Sequence, residues 1–194
     1  MKLFRKAVFP LIAMTFCGQA AQAQVLGLKS YKTDTDGHVR TLNYTPEGRS
    51  FVCVNGTNRY TRALYGGYTD FRVETSDRPV FAVFKKGHHR NIRFLVHTAD
   101  GQSIQLDQTD YCKAGYADGI RTYELTDKRW GDDARMTVTV VAPDDMEGAI
   151  WRFDTRGFKT PARIEARVCD IAVRRLSRNG DIGADKPGCF EPAD

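Results

Sequence analysis

Arg135-Met136-Thr137-Val138-Thr139-Val140-Val141 and Ala149-Ile150-Trp151-Arg152-Phe153-Asp154, joined by Ala142-Pro143-Asp144-Asp145-Met146-Glu147-Gly148, decide the fold class. Met136, Val138 and Val140 alternate with Arg135, Thr137 and Thr139; Ala149, Trp151 and Phe153 alternate with Ile150, Arg152 and Asp154. A period of two places one apolar and one wet face on an extended chain, whereas a helix would need a period of 3.6. Asp144-Asp145 after Pro143 supplies the reversal between the two strands.

The same period extends in both directions. Strands are predicted over 39–44, 50–54, 71–75, 80–85, 91–98, 102–107 and 120–126, with turn residues every eight to twelve positions. Asp100-Gly101 and Asp118-Gly119 are hairpin turns, because both central positions of a tight hairpin favour positive φ. In 162–173 the apolar set runs Ala162, Ile164, Ala166 and Val168, then Ile171 and Val173. That slip of one predicts a β-bulge near Val168 to Asp170. With no amphipathic helix, repeat or linker, residues 24–194 read as a single all-β domain, an antiparallel β-sandwich.

The first 23 residues are set apart. Lys2, Arg5 and Lys6 precede an apolar run over 7–16 and then Ala21-Gln22-Ala23, the three regions of a secretory signal peptide cleaved after Ala23. The run is shorter than the roughly 20 residues a membrane-spanning helix needs, and Phe16 is too large to precede a lipidated Cys17. The chain is therefore expected to be exported, to the periplasm or the exterior, without membrane association after cleavage. Removing residues 1–23 changes 29 basic against 24 acidic residues to 26 against 24. The residual basic groups, Lys85-Lys86 with Arg90 and Arg174-Arg175, make too small a patch for nucleic acid.

Cys53, Cys112, Cys169 and Cys189 remain, and four cysteines in an oxidising compartment allow three pairings that spacing does not distinguish. Spacings of 59, 57 and 20 residues exclude a Cys-x-x-Cys zinc site. His38, His88, His89 and His97 fall in no metal-ligand motif, and no GxSxG nucleophile turn is present. His88-His89 sits in a basic, glycine-containing segment read as a solvated turn. Asp34-Thr35-Asp36-Gly37 begins like a calcium loop but lacks its closing acid, and reads as a turn. Asn179, Asp181 and Asp185 place three oxygen side chains in a glycine-rich loop; a turn is the primary reading and a calcium site the secondary one. No other cofactor is expected.

The segment 55–70 packs three glycines, three tyrosines and two arginines without strand periodicity. Arg59, Tyr60, Arg62, Tyr65 and Tyr68 are candidate substrate-binding residues, since aromatic faces stack on sugar rings and guanidinium forks bond hydroxyls or carboxylates. The competing reading is a long connection over a sandwich edge, its tyrosines half-buried and its arginines paired with Asp70, Glu74 or Asp77. Trp130 joins the binding candidates from the charged run Lys128 to Asp133; exposed beside other aromatics it would favour direct sugar binding, whereas Trp151 alternates with core positions.

Pro46-Glu47-Gly48, Phe51-Val52, Asn55-Gly56, Arg59, Arg62-Ala63-Leu64-Tyr65-Gly66 and Phe71-Arg72-Val73-Glu74, with Ser177 to Phe190, resemble an uncharacterised domain near the N-terminus of large secreted bacterial proteins. Those proteins are of the six-hairpin glycosidase type. The resemblance implies a supersandwich-like β-sandwich preceding a helical-barrel catalytic domain that holds the catalytic carboxylates. It departs from the family at Lys85-Lys86-Gly87-His88-His89-Arg90, where a glycine-rich, apolar segment is expected. The expected role is a non-catalytic accessory domain of a glycoside-hydrolase or polysaccharide-utilisation system, with Arg59, Arg62 and Tyr65 at the rim of a partner's active site. A free-standing carbohydrate-binding module and a structural envelope protein are the alternatives. Because the resemblance is still strong at Phe190, the sandwich is expected to be incomplete in this chain and to self-associate or lean on a partner through an open strand edge.

Overall fold

The computed structural model describes residues 43–85, 88–171 and 191–193. Twelve strands follow in chain order: β1 (Thr45–Glu47), β2 (Ser50–Val54), β3 (Arg62–Tyr65), β4 (Arg72–Thr75), β5 (Val80–Lys85) and β6 (His88–His97); then β7 (Ser103–Gln105), β8 (Tyr111–Ala117), β9 (Ile120–Thr126), β10 (Arg135–Val141), β11 (Ile150–Arg156) and β12 (Arg163–Asp170). Two single turns of 3-10 helix, Leu106–Gln108 and Lys128–Trp130, interrupt them.

All pairings are antiparallel. One six-stranded sheet runs β1-β2-β8-β9-β10-β11; the other runs β12-β6-β5-β4-β3, with β7 extending β5's side of the long β6. The chain is a β-sandwich, as the period-two pattern predicts. Val138 on β10 pairs with Tyr123 on one side and Phe153 on the other, placing the alternating apolar set on the inner face. Between the sheets, Phe81 meets Phe94, Tyr123 and Trp151 at ring separations of 5.8–5.9 Å, mostly edge to face. That geometry contributes beyond the burial of the rings themselves.

The Asp118-Gly119 hairpin has φ of 50° and 80°, both positive as its sequence requires. The bulge expected near Val168 to Asp170 is absent: β12 pairs with β6 without interruption from Arg163↔His97 to Asp170↔Arg90. The phase change has another cause. β12 ends its sheet, so Ala166 and Val168 lie on the core-side face yet stay exposed, while Ile171 is buried beyond the strand in a bridge to Pro192. β1, β3 and β8 carry no prediction from periodicity. β8 holds Gly115, whose missing side chain leaves room for the Thr122 hydroxyl. Most of the strand expected over 39–44 lies outside the described residues, as does Asp34-Thr35-Asp36-Gly37.

Candidate functional site

The segment 55–61 is stitched onto the start of β8 and the end of β4. Asn55 donates its backbone N–H to the Cys112 carbonyl at 2.8 Å, and its side-chain oxygen accepts from the Cys112 N–H at 2.9 Å. Thr61 N–H reaches the Thr75 carbonyl at 2.7 Å, and Tyr60 N–H the Ser76 hydroxyl at 2.8 Å. Asp77, wholly buried, is the hub: it accepts from Asn58 N–H (3.0 Å), Asn58 Nδ2 (2.9 Å), Thr61 Oγ1 (3.2 Å) and Tyr44 Oη (2.7 Å). A buried carboxylate is tolerable only when so satisfied.

Its counter-charge comes from the other sheet. Arg121 on β9 has no exposed surface; it donates to Tyr44 Oη at 2.5 Å, the Ser76 carbonyl at 2.6 Å and Tyr123 Oη at 3.2 Å. Tyr44 thus bridges guanidinium and carboxylate, accepting from one and donating to the other. Burial pushes the Tyr44 phenol well above its ordinary range; Arg121 opposes this and Asp77 adds to it. The Tyr123 phenol, buried beside Arg121, is also raised, and both stay neutral hydrogen-bond donors at neutral pH. These groups are arranged to hold two sheets together.

Above this network lies a shallow cleft of about 210 Å³ between Asn58, Arg59, Ser76, Arg78 and Asp107. Small-molecule sites usually measure roughly 300–1,000 Å³. Its charges are paired across the cleft: Arg59 lies 3.2 Å from Asp107 and 3.3 Å from Glu191, and Arg78 donates to the carbonyls of Asp107 and Thr109. Asp107 and Glu191, rather than Asp70, Glu74 or Asp77, are the partners of Arg59.

The structure divides the six binding candidates. Tyr60 is fully buried on the outer face of the second sheet with Val80 and Ala82, its hydroxyl accepting from Asn91 Nδ2 at 2.8 Å. It adopts φ of 50°, a left-handed conformation costing roughly 1–2 kcal/mol for a bulky residue, which burial of the ring offsets. Trp130 is 5 % exposed and stacks at a tilt on Phe158, 5.4 Å away. Its charged neighbours misled: Arg129 folds back onto Asp127 at 2.6 Å, leaving the indole free to turn inward. Neither ring is a surface platform. Arg62 lies 4.3 Å over the Tyr116 ring, and Tyr65 and Tyr68 are strongly exposed at the β3 end of their sheet.

Periodicity could have found Arg121, because it shares the inner face of β9 with Tyr123 and Leu125. Asp77 and Ser76 carry no such signal. His88 and His89 begin β6 instead of forming a turn, and the His89 ring stacks on Phe84 at 4.5 Å. Cys53, Cys112 and Cys169 are free thiols; Cys189 and the calcium candidates Asn179, Asp181 and Asp185 lie outside the described residues. Among the described residues no group of three or more His, Cys, Asp or Glu side chains is placed to hold a metal ion.

A family model described as a domain of unknown function, DUF4450, matches residues 86–193, more than half of the chain, and the chain belongs to that family. The match includes the segment from Ser177 to Phe190 and begins after the Pro46 to Glu74 motifs. No curated protein and no solved structure matches the chain.

Proposed function

We propose that this chain is an exported, non-catalytic accessory β-sandwich of a glycoside-hydrolase or polysaccharide-utilisation system, docking on a catalytic partner through the β3 end of its second sheet. One observation carries this reading. Tyr65, 66 % exposed, and Tyr68, fully exposed, flank Gly66-Gly67, which lie against the carbonyls of Pro143 and Asp144 in the loop that presents Met146, 57 % exposed. Glu147 in that loop pairs with Lys85, so the apolar corner is braced. Exposed aromatic residues and methionine on a firm scaffold favour protein contact. Arg59 of the motif, with Asn58, Tyr60 and Asp77 around it, supports the same reading by being engaged in internal bonding.

The test is sedimentation of the signal-free chain with a glycosidase of the six-hairpin type, together with aryl-glycoside assays of each. The expected result is a complex weakened at least tenfold in the Tyr65→Ala/Tyr68→Ala double variant, with no turnover by the chain alone. Turnover abolished by a single Asp or Glu substitution would falsify the non-catalytic role. Oligosaccharide binding by the isolated chain that disappears with Tyr65→Ala/Tyr68→Ala would instead make that corner a sugar site.

A further inference from the structure

The outer face of the first sheet carries an open depression of about 620 Å³ across β8, β9, β10 and β11, away from the β3 corner. Its floor is set by register. Tyr111 pairs with Thr126, Thr126 stands one step beyond the Leu125↔Met136 pair and so opposite Arg135, and Arg135 pairs with Arg156. Four strands at about 4.8 Å spacing put Tyr111 and Arg156 roughly 14 Å apart along one row.

Arg135 and Arg156 are directly opposed, an arrangement that like charges normally disfavour. The neighbouring acids do not relieve it. Asp154 is held by Arg152 at 2.9 Å, and Glu124 stands opposite Lys113 in the next row. Among the described residues, Arg135 donates only to the carbonyls of Asp132 and Ala134, and no carboxylate pairs with Arg156. Asp132 and Asp133, in the turn before β10, form no ion pair with either arginine. Two guanidinium forks side by side complement a planar carboxylate, which accepts parallel N–H bonds from each. Tyr111 at the far end of the row offers an aromatic edge, and Thr126, Thr137 and Glu124 offer partners for hydroxyls.

We infer that this depression binds a carboxylate-bearing oligosaccharide, a hexuronate chain, with one carboxylate held between Arg135 and Arg156. The inference rests on the carbohydrate setting proposed above but not on docking, because the isolated chain is enough to test it. Calorimetric titration of the full signal-free chain would use trigalacturonate, neutral galactotriose, a sulfated trisaccharide and tri-glutamate. Trigalacturonate is expected to bind, weakening with salt and at least tenfold in Arg135→Gln and in Arg156→Gln, with little binding of the other three. Arg156→Glu converts repulsion to a cross-strand ion pair, so it is expected to lose binding while its melting temperature holds or rises. Equal binding of the neutral or sulfated sugar, preference for tri-glutamate, indifference to both glutamine variants, or a fall in melting temperature with Arg156→Glu would each overturn the assignment.

Discussion

Arg121 Nη2, on β9 of the first sheet, lies 2.6 Å from the carbonyl of Ser76, at the end of β4 in the second. It is a charge-assisted bond spanning the sandwich, and Tyr123 Oη converges on the same carbonyl at 2.8 Å. Through Tyr44 the same guanidinium reaches Asp77. Breaking a buried charge network by removing one member costs about 3–5 kcal/mol, because the remaining groups stay desolvated. Arg121→Met is expected to lower the unfolding free energy by about 3 kcal/mol, read as a shift of the urea midpoint at unchanged slope. A loss below about 1 kcal/mol would show that Asp77 is satisfied by Asn58, Thr61 and Tyr44 alone.

Gly66 tests how closely the β3 end is fitted to the 142–149 loop. A Cβ there would fall 1.9 Å from the Pro143 carbonyl oxygen, a backbone atom that cannot swing away. Overpacking of this kind costs roughly 1–3 kcal/mol. Gly48 has φ of 59° and open space around it, so alanine there meets only the left-handed backbone penalty of roughly 1–2 kcal/mol, with no clash added. Thermal melts should place Gly66→Ala below Gly48→Ala. Gly66→Ala should also weaken partner binding at the Tyr65–Tyr68 corner.

Asp127 gives the stability a defined pH dependence. Burial pushes its carboxyl up, but the Arg129 side chain and the N–H groups of Arg129 and Asp110 outweigh it and hold the carboxyl below the ordinary aspartate range. A group with a depressed folded pKa stabilises above its unfolded value, about 3.9, and this stability is lost as pH falls through the folded one. The gap in urea midpoint between the parent chain and Asp127→Asn should therefore be widest at pH 7 and narrow towards pH 3. A gap independent of pH would mean that Asp127 acts through shape alone.

The thiols should divide by burial. Burial pushes the Cys112 thiol up to about 12 against the pull of Arg78 and Arg121, and Cys53 is likewise raised by burial and by Asp77. Thiolate is the reactive species, so iodoacetamide at pH 8 should modify the half-buried Cys169 in the native chain and spare Cys53 and Cys112 until urea is added. Peptide mass mapping reads this directly; prompt native labelling of Cys112 would contradict the packing of β8.

Strands with one wet face were legible because their pattern is local. β9 and β10 begin and end where alternation does, and Asp118-Gly119 turns where its backbone preference requires. β3 was missed because its neighbours are glycine, tyrosine and arginine, and only pairing with β4 makes it a strand. The supposed bulge in β12 was misread because an edge strand need not bury the face its pattern marks.

For the site, the sequence alone determined only a set of candidates by residue type: the arginines and tyrosines of 55–70, and Trp130. The tertiary structure decided which of them face solvent. Tyr60 and Trp130 went inward because an apolar surface lay within reach, and Tyr65 and Tyr68 stayed out at the end of a sheet. It also decided that Arg121, Tyr44 and Asp77 meet, although Tyr44 and Arg121 stand 77 residues apart. Alternation reports the environment of one strand, whereas a charge network depends on how two sheets are superposed, and no local pattern encodes that superposition.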